Sequence, residues 1–247
     1  MSNLEGGQAL GDAKRIKVLR YQRIVDDKEL SAKHWSCLFV LDFRRQLELL
    51  ERWGYTTITF NDYRLFLKGE LNLPRKPVVL TFDGAYLDNY RIMFPTLQKA
   101  GATAVVFSHG DRHIQEDVWN AEAGAPRGRM MDEQHMLELH AAGFEIGSHS
   151  MTHANLETMP AHKVSEEIVR SRILLEILLN APVLSFAYPF GILDARIKQM
   201  VAEAGYTVAC CTDSGPSKFG IDSLEVRRVT VRSDKSHFSF SVKLLAT

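Results

Sequence analysis

The chain has 247 residues, 45% of them hydrophobic and 24% charged, which suits one large α/β domain or two small ones. Thirty basic and thirty acidic residues cancel, so nothing electrostatic draws the chain to nucleic acid or an acidic membrane surface. Three cysteines (Cys37, Cys210, Cys211) are too few and too badly spaced for a disulfide framework or a zinc ribbon, and the adjacent pair reads as core thiols.

Met1 to Lys14 is polar and lacks the apolar stretch of a secretory signal, and no run is as long as a membrane span. A cytoplasmic protein is the expectation, with a flexible segment 1–15 ahead of one domain, 16–247. An export signal already removed would leave the same sequence.

Short apolar runs then alternate with helical patterns. Val18 to Tyr21 predicts a strand. Phe43, Leu47 and Leu50 share one helical face, with Asp42 as the cap and Gly54 as the stop. Thr56 to Phe60 predicts a strand, and Asn61 caps the short helix after it. Pro77 to Asp83 is a near-continuous apolar run ending in a carboxylate, as in a strand buried on both faces of a parallel sheet. Asp88 to Ala100 predicts a helix that kinks or restarts at Pro95. Thr103 to Ser108 predicts a strand. His109 to Arg129 is a long polar stretch that reads as a surface loop over the site.

Asp132 caps a helix reaching Gly143, and Phe144 to Gly147 predicts a strand leading into His149. Pro160 to Leu179 is a long helix, and Leu184 to Tyr188 a strand. Asp194 caps a helix ending at Gly205, and Tyr206 to Cys211 and Val226 to Val231 are the last strands. This rhythm predicts a parallel sheet with helices outside, open or closed as a barrel.

Function in such folds gathers at the carboxyl ends of the strands. His149 and His153 are four apart, so a helical turn or tight loop aims both imidazoles one way, and neutral imidazoles suit zinc. A bare pair of this kind is more often a hydrogen-bonded loop than a metal site; its place after an apolar strand favours metal. Asp83 ends a buried strand, where a carboxylate must be paired, hydrogen-bonded or metal-bound. It reads either as a cap of the next turn or as a general base beside a metal-bound water.

The order TFDGAYLDNY, GSHSMTHANL, FAYPFG resembles the polysaccharide deacetylases, the NodB-homology or carbohydrate esterase 4 family. The likeness runs from Lys17 to Val231. Gly205-Tyr206 and Arg228-Val229 look like the branch acting on poly-N-acetylglucosamine. The resemblance implies a distorted (β/α)7 barrel, related to the TIM barrel, and a hydrolase that removes N-acetyl groups from amino-sugar oligo- or polysaccharides. It implies a divalent metal, zinc by preference, held by His149 and His153. It implies Asp83 as catalytic base, and the backbone N–H of Phe190 holding the oxyanion. Tyr188 and Pro189 form a groove wall. Trp119 in the long loop reads equally as a sugar platform or a loop anchor.

The sequence departs from that pattern at one decisive place. The family reads Thr-Phe-Asp-Asp-Gly, with the second Asp a metal ligand; here Gly84 and Ala85 follow Asp83. Asp88 is a carboxylate nearby in sequence. Tyr21-Gln22-Arg23 stands where relatives often have Tyr-His-Arg. His237 is a weak match to the family's late general acid, and Asp213 lies near its fourth motif. Three readings follow: an N-deacetylase, a catalytically impaired relative that still binds glycan, or an altered hydrolase using metal on a different ester or amide.

Overall fold

The computed structural model describes residues 16–117, 119, 127–212, 219, 221–233, 235, 240–242 and 244. The segment 1–15, Asp213 and His237 lie outside them. In chain order the strands are β1 (Lys17–Tyr21), β2 (Arg23–Val25), β3 (Cys37–Phe39), β4 (Thr56–Thr57), β5 (Pro77–Asp83), β6 (Val105–Ser108), β7 (Glu145–Ser148), β8 (Ser185–Ala187), β9 (Val208–Cys210) and β10 (Val229–Thr230). The α-helices are α1 (Lys28–Lys33), α2 (Val40–Arg52), α3 (Phe60–Leu67), α4 (Phe94–Lys99), α5 (Glu133–Ala141), α6 (Ala161–Leu179) and α7 (Ala195–Glu203).

Seven strands run parallel in the order β10-β1-β5-β6-β7-β8-β9, and β4 pairs with the start of β5. The circle closes through a parallel bridge between Cys210 and Val226, where Val226 N donates to Ala209 O and Cys211 N to Val226 O. This is the distorted seven-stranded barrel that the sequence resemblance implies.

The two-residue period of each strand sorts side chains to the two faces. Leu19, Leu80, Phe82, Val106, Ile146 and Phe186 pack outward against the helices. Val18, Val79, Val105, Phe107, Ala187 and Cys210 fill the barrel. Each large apolar side chain so buried contributes about 1.5–3 kcal/mol. The same period carries Arg20, Thr81 and Asp83 inward at the carboxyl ends of β1 and β5.

The local signals are mostly where the sequence puts them. Asp132 and Asp194 cap α5 and α7 with their side chains. The helix around Pro95 begins as a π-helical stretch, Asn89–Met93, before α4 restarts with Pro95 in its first turn. Three details differ. The cap of α2 is Phe39, so Asp42 sits in its first turn, paired with Arg45. The cap of α3 is Thr59 rather than Asn61, because Thr59 and Asp62 form a reciprocal capping box, which also cuts the strand at Thr57. The small β2–β3 pair after Tyr21 has no counterpart in the sequence reading; it is held by Asn89, whose side chain accepts from Ile24 N and donates to Gln22 O.

Candidate functional site

Asp83 ends β5 inside the barrel mouth and is almost wholly buried. Arg228 meets it with a two-pronged pair, Nη1 to Oδ1 at 2.6 Å and Nη2 to Oδ2 at 2.8 Å. Arg20 adds Nε to Oδ2 at 2.5 Å. Arg228 is itself fixed by donating to Cys211 O and Thr81 Oγ1. Burial alone would raise the Asp83 pKa, but Arg228, then Arg20 and His149, outweigh it and hold the carboxyl far below its usual range. A carboxylate so stabilised is a poor proton acceptor.

His149 follows β7. Its N–H donates to Ser108 O, which keeps it in register with the end of β6. Its Nδ1 lies 2.7 Å from Ala187 O, so Nδ1 carries the proton and Nε2 is left with a free lone pair. His153 comes round a tight loop rather than a helical turn. Ser150 (φ 63°) and His153 (φ 60°) are both left-handed, and Phe190 (φ 59°) is the same across the site. Such backbone costs about 1–3 kcal/mol per residue and persists only where neighbours enforce it. Here Glu167 of α6 accepts from both Thr152 N and Thr152 Oγ1, each at 2.8 Å.

The imidazoles sit in an aromatic cage. His149 and His153 have ring centroids 4.6 Å apart, Trp119 stacks on His153 at 4.5 Å, and Phe190 meets it edge-on at 4.7 Å. His109, one residue past β6, touches Trp119 from another side at 5.7 Å. Burial, before any other cause, lowers the pKa of all three histidines, His109 to about 3. All three are neutral at pH 7. His109 Nδ1 and His153 Nδ1 are buried without a partner.

A family profile described as polysaccharide deacetylase matches residues 70–209, more than half of the chain. The chain belongs to the polysaccharide deacetylase family. YxkH of Bacillus subtilis (strain 168), grouped by its name with the polysaccharide deacetylases, is 25% identical over 203 residues, covering 81% of this chain and 67% of that one. BC0361, a polysaccharide deacetylase from Bacillus cereus, superposes with a TM-score of 0.74 at 25% identity, covering 93% of this chain and 68% of the other. The Streptococcus pyogenes deacetylase PplD, solved with acetate, shares the fold at a TM-score of 0.78 and 24% identity, over 93% and 97% of the two chains.

The resemblance implies a divalent metal at this site. His149 presents a free Nε2, and His153 has an orphaned buried nitrogen, so two imidazoles are suited to it. The third place is not. Gly84 lies at φ +80°, and a Cβ built on it would stand 2.5 Å from Tyr86 Cε2. The Tyr86 ring is pinned there. Its hydroxyl donates to Asp117 Oδ2, Arg23 lies over its face, and it fills the space beside Gly128 on its other side. Both Asp83 oxygens belong to the arginines, and Asp88 is paired with Arg23 at 2.5 Å. Among the described residues no three His, Cys, Asp or Glu side chains are gathered as a metal cage. The donor set does not fit a three-ligand centre.

The other residues singled out in the sequence fall in different places. Tyr188 is no part of an open wall: its ring is in the core against Phe186 and its hydroxyl donates to Leu224 O. Pro189 is buried, whereas the Phe190 side chain is 45% exposed and lies against His153. Cys37, Cys210 and Cys211 are free and buried. Sequence reasoning did not single out Arg20, Tyr86, His109 and Asp117, nor the pairing of Arg228 with Asp83. The strand alternation that places Val18 inward also places Arg20 inward, and an inward cation requires a carboxylate; that signal was available. A cavity of about 390 Å³, lined by Thr59, His140, Glu145 and Thr207 among others, opens at the opposite end of the barrel, away from His149 and His153.

Proposed function

We propose that this chain binds N-acetylated amino-sugar oligo- or polysaccharides across the carboxyl ends of the barrel strands, and that hydrolysis of the N-acetyl group is strongly impaired. Family membership supports the substrate class. The observation that carries the impairment is the Tyr86 ring packed against Gly84, where a ligand carboxylate would need room. The clamped Asp83 supports it too, since a carboxylate with a strongly depressed pKa gains little by taking a proton from water. Trp119, Phe190 and the buried imidazoles supply apolar faces and hydrogen-bonding edges of the kind a sugar ring meets.

The second reading is an N-deacetylase active with a divalent metal, zinc by preference. It is favoured by one observation, the fixed tautomer of His149 with Nε2 left open. Titrating the chain with chitotetraose by NMR while assaying released acetate separates the two. The first reading expects shifts at the Trp119 and His153 resonances with no acetate above the uncatalysed rate. Catalytic turnover supports the second, and no binding at all removes both.

A further inference from the structure

Asp83 carries one negative charge and meets two guanidiniums. Arg228 alone satisfies both carboxylate oxygens, so Arg20 is surplus to pairing. The Nε bond to Asp83 is the only hydrogen bond of its side chain among the described residues, that side chain is 12% exposed, and its Nη atoms are not among the buried unpartnered ones. The outer edge of its guanidinium therefore reaches solvent at the barrel mouth with no acceptor among the described residues. Holding a second cation beside a carboxylate already paired costs desolvation energy, unless an outside anion completes it.

A second arginine lies on the neighbouring wall. The Arg20 guanidinium lies 5.9 Å from the centroid of the half-buried Trp35 ring, and the Arg232 guanidinium lies 4.9 Å from it. Cation–π contact with one indole keeps two like charges close together. The backbone fixes this wall to the barrel rim: Ser233 N donates to Trp35 O, and Ser233 Oγ to the carbonyls of Ser31 and His34. Arg23, close by, is matched by Asp88, and Arg232 has interactions of its own, so the surplus rests with Arg20.

We propose that Arg20, with Trp35 and Arg232, forms a subsite for an anionic sugar unit, one bearing a carboxylate or phosphate next to an N-acetylated residue. The inference rests on the sugar-binding reading above. A guanidinium edge presents two parallel N–H donors that match the oxygens of a carboxylate or phosphate. The natural ligand is then a mixed glycan of acidic and N-acetylated units rather than a neutral one.

The test is isothermal titration of the full chain with two tetrasaccharides, one alternating glucuronate and N-acetylglucosamine, the other chitotetraose. N-acetylglucosamine 6-phosphate against N-acetylglucosamine forms a second arm that separates phosphate from carboxylate. At least one acidic ligand should bind about tenfold more tightly than its neutral counterpart at low salt, with the gap narrowing as salt rises. Arg20→Gln should reduce the gap to about threefold or less, while Arg20→Lys keeps part of it. Should Arg20→Gln fail to fold, Arg232→Gln and the salt series read the same gap. Equal binding of acidic and neutral sugars overturns the inference and leaves the sugar reading intact. A gap that both variants and salt leave unchanged also overturns it. No binding of any sugar overturns the sugar reading and the inference together.

Discussion

The ring of Tyr86 stands where the first atom of any side chain at position 84 would be built, with Cε2 2.5 Å from an ideal Cβ on Gly84. Gly84 is therefore required twice over, by its backbone at φ +80° and by the ring beside it. Tyr86 cannot swing away freely, because Asp117 holds its hydroxyl and Gly128 leaves just enough space for its far edge.

Restoring the family's carboxylate alone should accordingly fail. Gly84→Asp and Gly84→Ala should each lower stability by about 2–4 kcal/mol, from left-handed backbone strain and overpacking. Chemical denaturation measures this. If Gly84→Asp is neutral and gains metal, Tyr86 is not the obstacle described here.

Asp83 and its two arginines form a structural knot as much as a reactive group. Removing the negative charge leaves two guanidiniums facing each other in the barrel. Asp83→Asn should cost about 3–5 kcal/mol, the usual penalty for breaking a buried ion pair. A change below about 1 kcal/mol in urea midpoint analysis would show that the triad is solvated rather than locked.

His109 gives the fold an acid limit. Its pKa is lowered to about 3 by burial, with Arg112 adding to the effect. An unfolded histidine titrates near 6.5, so from there down to about 3 the unfolded state holds the extra proton. Stability from this group is complete above pH 6.5 and is lost as pH falls, at up to about 1.4 kcal/mol per pH unit. His109→Asn should flatten that slope. An unchanged slope would place the acid sensitivity elsewhere.

Trp119 covers one face of His153 in the stacked pair. Trp119→Ala should let water reach the imidazole and move its pKa up toward the ordinary histidine value. NMR titration of the His153 ring proton checks this. No movement would mean that His149 and the strained loop, not the indole, keep the ring dry.

Much of the barrel was legible because its signals are local and periodic. The run Pro77–Asp83 is buried at every position and could only be an interior parallel strand. The family motifs lie in order along it and along the loops after β7 and β8. What was not legible depends on contacts between distant residues. Arg228 and Asp83 are 145 residues apart, and Tyr86 is tied to Asp117 and Gly128 across a long loop. Tyr188 looked like a wall residue from its motif, yet the alternation of β8 carries it past Ala187 into the core beside Phe186. The missing ligand at Gly84 could be read directly. That its room is also filled required the fold.

The central claim is that two imidazoles remain and the third ligand place is closed. The most direct measurement is the zinc content of the purified full chain after equilibration with zinc and removal of free metal. The account predicts well under about 0.1 zinc per chain, since a stable catalytic centre calls for three protein ligands. One zinc per chain, lost on substituting His149 or His153 by Ala, would contradict it.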